Sequence, residues 1–344
     1  VPLIGENRVI AHCGLHALSV GPHSAGIEAL LGESGLLGRE LDSMHVGFVL
    51  APRLNAAGRM HSPDLAADLL LLRGRDDDVR SRARELARQL SEQNARRQEE
   101  EATILAEARK VIDHDPDVGG QNVLVVAGDG WHRGVIGIVA SKLVEAYHKP
   151  TIVLSVEGGV AQGSGRSIAG FDLLAGLESC ADVFLRFGGH KMAAGMTLAG
   201  DRVDELRRRL AARANAELSP DDLVPRLRID AEMALGEISG DVVRVLARLG
   251  PFGMANPKPV FRAAPVDLVA PPRKLKERHL SLVVKQAGRA FRAMAWRAAD
   301  REAYLSAHRY GLELAYSLDE TEYRGERLTE LTVADLRVPD GAPA

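Results

Sequence analysis

Two glycine-framed polar clusters hold the side chains of this chain best suited to chemistry, and the chemistry they suit is phosphate binding. Gly163-Ser164-Gly165-Arg166-Ser167 reads as a turn in which two glycines let the backbone approach an anion, two hydroxyls donate and one guanidinium forks onto phosphate oxygens. Gly188-Gly189-His190-Lys191, followed by Ala193-Ala194-Gly195, adds an imidazole and an ammonium. Between them Phe171, Leu173, Leu174, Leu177, Val183, Phe184 and Leu185 predict one packed helix, which would bring both clusters to one edge of a sheet. Ser164, Gly165, Arg166, Ser167, Gly189, His190 and Lys191 are the contacts expected in that crevice.

Two further stretches add cations near turns. Gly130-Trp131-His132-Arg133-Gly134 precedes a helix, with Trp131 expected to cap the core while His132 and Arg133 face the crevice. Val46–Met60 reads as a functional loop whose backbone is restricted by Pro52 and Gly58. Arg53 is its expected main phosphate contact, because a guanidinium binds two oxygens at once and stays charged at any working pH; Asn55 and Arg59 accompany it. Possible metal sites are weaker. Asp76-Asp77-Asp78 suits a solvated helix start, where the macrodipole favours carboxylates. His114, Asp115 and Asp117 sit in a boundary loop with nothing to fix their geometry. Cys13 and Cys180 lie among apolar neighbours and read as buried free thiols.

The elements that must position these residues follow from periodicity and breakers. Val9–Leu18 and Ala25–Leu31 read as helices. Asp76–Lys110 has no Gly or Pro and is rich in helix formers, with Ser91–Glu101 polar on every side, as in a helix bridging domains through solvent. After the break at His114–Gly120, a strand over 122–127, a helix over Gly134–Tyr147 and a strand over 151–155 form a βαβ unit, which places ligand loops at strand ends. A third strand is expected over 160–167, an edge strand over Met196–Leu198 and an amphipathic helix over 202–216. Beyond a linker near 218–225, strand-like pieces at 227–229, 260–261, 279–285, 290–296, 312–318 and 327–333, with a helix over 241–249 and turns at Ala287-Gly288 and Arg324-Gly325, suggest a small barrel.

The 344 residues are 46% hydrophobic and 26% charged, which excludes a disordered chain, and no apolar run approaches the roughly 20 residues of a membrane span. No membrane partner and a cytoplasmic location are the expectation. The net charge of −3 conceals a basic stretch, Pro271–Arg297. Arg273, Lys274, Lys276, Arg278, Lys285, Arg289, Arg292 and Arg297 stand there against Glu277, interleaved with His279, Phe291 and Trp296. Cations with aromatics are what a single strand of nucleic acid needs.

The SGRS and GGHKMAAG motifs resemble the DHH-associated domain of RecJ-type single-stranded-DNA exonucleases. PLIGENR (2–8), LAPRLNAAGRM (50–60), GWHRGVIG (130–137) and PFGMANPKPVF (251–261) occur in the order seen in that family, so the resemblance covers nearly the whole chain. It implies an α/β fold made of the end of a DHH phosphoesterase domain (1–72), a long bridging helix (73–112), a βαβ-type DHH-associated domain (113–217) and an OB-like barrel (218–344). It implies 5′→3′ hydrolysis of single-stranded DNA in repair and recombination, using manganese or magnesium, with single-strand-binding protein or a helicase as partners. In that family PLIGENR directly follows the last acidic motif, so the metal-binding half is expected upstream of Val1. No DHH triplet occurs here, and the chain alone is expected to be inactive and to hold no metal. A small-oligonucleotide phosphodiesterase of the DHH family and a non-catalytic single-strand-binding scaffold are the alternative readings.

Overall fold

The computed structural model describes residues 1–323 and 326–339 and divides into two compact units, Leu18–Pro225 and Val1–Ala17 with Arg226–Ala344. The chain opens with α1 (Gly5–Val20), α2 (Ala25–Glu33) and the short α3 (Ser43–His45), which passes through a π-helical turn, Val46–Leu50, into α4 (Ala51–Met60). Arg53, Asn55 and Arg59, expected on a loop, thus ride on a helix. Pro52 falls in the first turn of α4, where its missing N–H is no loss, so it starts the helix instead of breaking it. Cys13 lies exposed on α1, against expectation, while Cys180 is buried.

After α5 (Asp64–Leu71), the 38-residue α6 (Asp77–His114) begins on Asp76, whose carboxylate accepts from the Val79 N–H at 3.0 Å. The stretch 91–101 is exposed over most of its length, as its composition suggested, but not on every side. Asn94 and Glu101 are buried, and the Glu101 carboxylate pairs with Arg97 and with Lys142. Positions 94, 97 and 101 share one helix face, so mutually paired polar groups stand where an apolar stripe would otherwise pack. The expected boundary loop contains a short helix, α7 (Pro116–Gly119), capped by Asp115.

A five-stranded sheet follows, from β1 (Leu124–Asp129), β2 (Thr151–Glu157), β3 (Val160–Arg166), β4 (Phe184–His190) and β5 (Ala193–Ala199), in the order β1-β2-β3-β5-β4. β1 and β2 are parallel, joined through α8 (Ile136–Tyr147), and the other pairs are antiparallel. One side of the sheet packs on α9 (Leu173–Glu178) and α10 (Val203–Glu217) through Phe171, Leu173, Leu177, Leu206 and Leu210; the other packs on α8 and the end of α6 through Val139, Leu143, Ile104 and Ile112. Three expectations change here. Gly163–Arg166 is the second half of β3, as the strand expected over 160–167 had it, and not a turn. Phe184 and Leu185 start β4, leaving α9 only six residues, because β-branched and aromatic Val183-Phe184 suits a pleated strand better than a helix. The strand holding Met196–Leu198 lies between β3 and β4, so β4 is the edge.

The other unit carries β6 (Ala231–Glu232), α11 (Gly240–Ala247), β7 (Phe261–Leu268), β8 (Arg273–Leu275), β9 (His279–Gln286), β10 (Arg289–Ala295), α12 (Glu302–Ala307), β11 (Leu312–Tyr323) and β12 (Glu326–Arg337). Strand pairing runs β7-β11-β12-β10-β9 and returns from β9 to β7, which closes a five-stranded barrel of OB type around Leu280, Leu282, Ala293, Leu314 and Tyr316. Its first short strand lies at 231–232, two residues beyond the stretch expected. Ala287 and Gly288 take φ of 45° and 85°, the two-residue turn that suits the twist of β9 and β10. The expected turn at Arg324-Gly325 lies outside the described residues. Two distant motifs meet in this unit. The Arg8 guanidinium donates to the carbonyls of Leu249 (2.6 Å) and Gly250 (3.1 Å) just past α11, and the Leu3 N–H donates to Met254 O at 2.7 Å. A cation there complements the negative end of the helix.

Candidate nucleic-acid interface

The first turn of α8 is the point on which polar side chains from three elements converge. Gly137 has no side chain, and a Cβ there would lie 3.0 Å from Ser164 Oγ and 3.3 Å from an Arg166 terminal nitrogen, so the helix rests directly against those two groups of β3. Arg166 donates to Ser164 Oγ at 3.0 Å and to Gly165 O at 2.8 Å. The end of α4 locks in beside them: Arg59 donates to Gly134 O at 3.1 Å, and a Cβ on Gly134 would collide with Arg59 O at 2.1 Å. His132 accepts the Gly134 N–H on Nδ1 at 3.1 Å, so a neutral ring carries its proton on Nε2, where it can donate outward.

Burial pulls the Arg166 pKa below its ordinary value, and the nearby Arg59 charge pulls it further. Neither guanidinium pairs with a carboxylate among the described residues. Arg133, by contrast, is satisfied by Glu157 at 2.9 Å.

The remaining site residues divide by location. Arg53 is half-buried and donates to Val49 O (2.7 Å) and Ser91 Oγ (3.2 Å), so its guanidinium is tied to the packing of α4 on α6 and is not part of this cluster. Asn55 is exposed one turn before Arg59. Strand alternation turns Gly165 and Ser167 away from Ser164 and Arg166. A Cβ on Gly165 would strike Leu173 at 2.8 Å and one on Gly163 would strike Leu154 at 2.5 Å, so these glycines make room for the core and not for an anion. Ser167 is buried and donates to Phe171 O at 2.8 Å. Gly189, with φ of 155°, lies under Ala193 and Ala194 in the β4–β5 hairpin, whose exposed tip presents His190 and Lys191. Trp131 is buried as a cap, its indole N–H donating to Glu107 at 2.6 Å.

Sequence reading missed Gly137, which packs against Ser164 and Arg166, and Gln162, Arg186 and Thr197, which line an open cleft together with Ser164. Gln162, Ser164 and Arg166 share a two-residue period along the strand expected over 160–167, which puts them on one face.

On the barrel, β9 and β10 turn His279, Val283, Lys285, Arg292, Met294 and Trp296 outward. Trp296 is 56% exposed, with His279 edge-on at 5.0 Å, whereas Phe291 packs against the core beneath Arg289. Arg273, Lys276, Arg278 and Lys285 are exposed with no carboxylate partner among the described residues, and Lys274 pairs with Glu302 at 3.3 Å. Among the described residues no group of three or more His, Cys, Asp or Glu side chains is placed to hold a metal ion, so these residues do not fit a divalent-metal centre. No helix among them is long and apolar enough to cross a membrane.

Comparison with known proteins agrees with this architecture. Residues 120–216 match the DHHA1 domain model and residues 229–335 the RecJ OB domain model. The chain is 41% identical over 261 residues to the single-stranded-DNA-specific exonuclease RecJ of Bacillus subtilis, covering 75% of the chain and 32% of that protein, and 36% identical over 346 residues to that of Dickeya dadantii, covering 98% and 58%. The chain thus spans about a third to somewhat over half of the length of these relatives. The crystal structure of RecJ in complex with Mg2+ from Thermus thermophilus superposes with a TM-score of 0.80 at 31% identity, over 99% of this chain and 50% of that one; a Mn2+ complex of the same protein matches equally well. With a DHHA1 domain followed by a RecJ OB domain, the chain belongs to the RecJ family.

Proposed function

We propose that this chain is the strand-holding region of a 5′→3′ single-stranded-DNA exonuclease, and that the cluster around the first turn of α8 grips a backbone phosphate of the strand. The observation that carries this reading is the packing of Arg166 and Ser164 and of the Arg59 end of α4 around the start of α8, with neither guanidinium paired to a carboxylate among the described residues. A phosphate relieves their repulsion and exchanges the weak bonds of Arg166 to Ser164 and Gly165 for charge-assisted ones, worth about 1.5–3 kcal/mol each. Ser164 Oγ and the Nε2–H of His132 complete a set of donors, and His190 and Lys191 at the hairpin tip extend the cationic surface. The outer face of β9 and β10, with Trp296 for stacking and the neighbouring cations for phosphates, is a second single-strand surface of the kind OB barrels use.

In this reading the complete enzyme acts in DNA repair and recombination in the cytoplasm, alongside single-strand-binding protein or a helicase. Manganese or magnesium supplies Lewis-acid activation of water when bound by residues outside those described here, and the 344-residue chain alone positions the strand without cutting it. The test is binding of a fluorescent oligothymidylate to the purified chain across a salt series. Arg59→Ala and Arg166→Ala should each weaken binding about 10-fold and each reduce the slope of log K against log salt by about 0.7. Unchanged affinity and slope in both variants would place the phosphate grip elsewhere.

A further inference from the structure

Beside the Arg59–Arg166 cluster the sheet face is left open, and its composition is unusual. Residues paired across antiparallel strands share a face. The register therefore lays out three successive rows: Gln162–Thr197–Arg186, then Ser164–Gly195–Gly188, then Arg166–Ala193–His190. The middle row is bare backbone over β5 and β4. A Cβ on Gly188 would meet nothing within 4 Å, and one on Gly195 only Gly163 O at 3.9 Å. Neither glycine is demanded by packing, and neither has the positive φ that favours glycine. The floor lies in an open cleft of about 380 Å³, within the size range of small-ligand sites.

Arg186 is on this face because of a register shift. β4 pairs Phe184 with Leu198 and Arg186 with Thr197, so Leu185 is an extra residue and is turned out, 68% exposed. Without that bulge Arg186 would oppose Met196 and point into the core. Its Nε donates to the neutral Thr197 hydroxyl at 3.2 Å, and no carboxylate pairs with it among the described residues.

We infer that the glycine floor and the Gln162–Thr197–Arg186 row form a second nucleotide subsite, in which a sugar and base lie across Gly188 and Gly195 while Arg186 holds the adjoining phosphate. The two cationic rows are about 13 Å apart, from the roughly 3.3 Å rise per residue, with the floor between them. This rests on the reading of the Arg59–Arg166 cluster as the phosphate grip and adds the next contact along the strand. Arg186→Ala and Gly188→Leu both leave the core untouched, since one side chain is exposed and the other would project into open space.

The experiment compares wild type, Arg186→Ala, Gly188→Leu and Arg166→Ala in binding a fluorescent oligothymidylate over a salt series, with melting curves as the folding control. Arg186→Ala should lose about 10-fold in affinity and about 0.7 of the salt slope. Gly188→Leu should lose affinity at unchanged slope, since it fills the floor without removing a charge. Wild-type affinity in either variant, or an Arg186→Ala loss with no change of slope, overturns the second subsite. If Arg166→Ala still weakens binding in that case, the phosphate grip stands; if all three variants bind as wild type, the grip falls as well.

Discussion

Arg166 is held where a guanidinium is poorly solvated and faces another positive charge. Such a residue contributes little to folding on its own account, because its bonds to Ser164 and Gly165 are offset by burial and by repulsion from Arg59. Function and stability can therefore be separated at this position. Arg166→Met, which keeps the buried stem and removes the charge, should melt within about 2 °C of wild type, corresponding to a change of about 0.5 kcal/mol in a unit of this size, while losing single-strand affinity. A thermal shift series checks this. A fall of several degrees would make Arg166 a structural bridge instead of an anion contact.

At the scale of elements, the glycines of the SGRS motif show how a correct motif can carry a wrong geometry. Their spacing from the GGHK cluster was legible in the sequence, and so were the βαβ order, the long helix and the strands of the barrel. A strand over 160–167 was legible, but the glycines of SGRS were read as a turn opening onto an anion because glycine and serine are poor strand formers, and only the neighbours Leu154, Leu173 and Met196 show that Gly163 and Gly165 are there for core volume. Gly165→Val should destabilise the sheet unit by about 1–3 kcal/mol through overpacking, measured by denaturant unfolding. Tolerance of valine would mean the core is looser than the packing indicates. One face of the polar band of α6 escaped the sequence for a related reason, since composition cannot tell a solvated charge from a buried, paired one. Glu101 is buried between the mostly covered Arg97 and the partly exposed Lys142. Glu101→Ala, which strands two cations, should cost about 3 kcal/mol or more in the same assay, and Glu101→Gln less. A loss below about 1 kcal/mol for Glu101→Ala would return that stretch to a solvated role.

For the whole molecule, a net charge of −3 coexists with two basic surfaces because the acidic residues are spent in local pairs. Arg209 and Arg202 hold the Asp182 carboxyl below its usual range, and Arg262 and Arg337 do the same for Glu313. Among the described residues Arg59, Arg166 and Arg186 on the sheet unit, and Arg273, Lys276, Arg278 and Lys285 around β8 and β9 on the barrel, have no carboxylate partner. Total charge cannot show this, because it averages over both kinds of pairing. The measurement that bears most directly on the account is a crystal structure of the chain with a short oligothymidylate. A backbone phosphate should lie within hydrogen-bond distance of both Arg59 and Arg166, with Arg166 drawn away from Gly165 O. An oligonucleotide bound elsewhere, with Arg166 still donating to Ser164 and Gly165 and no anion at the first turn of α8, would contradict it.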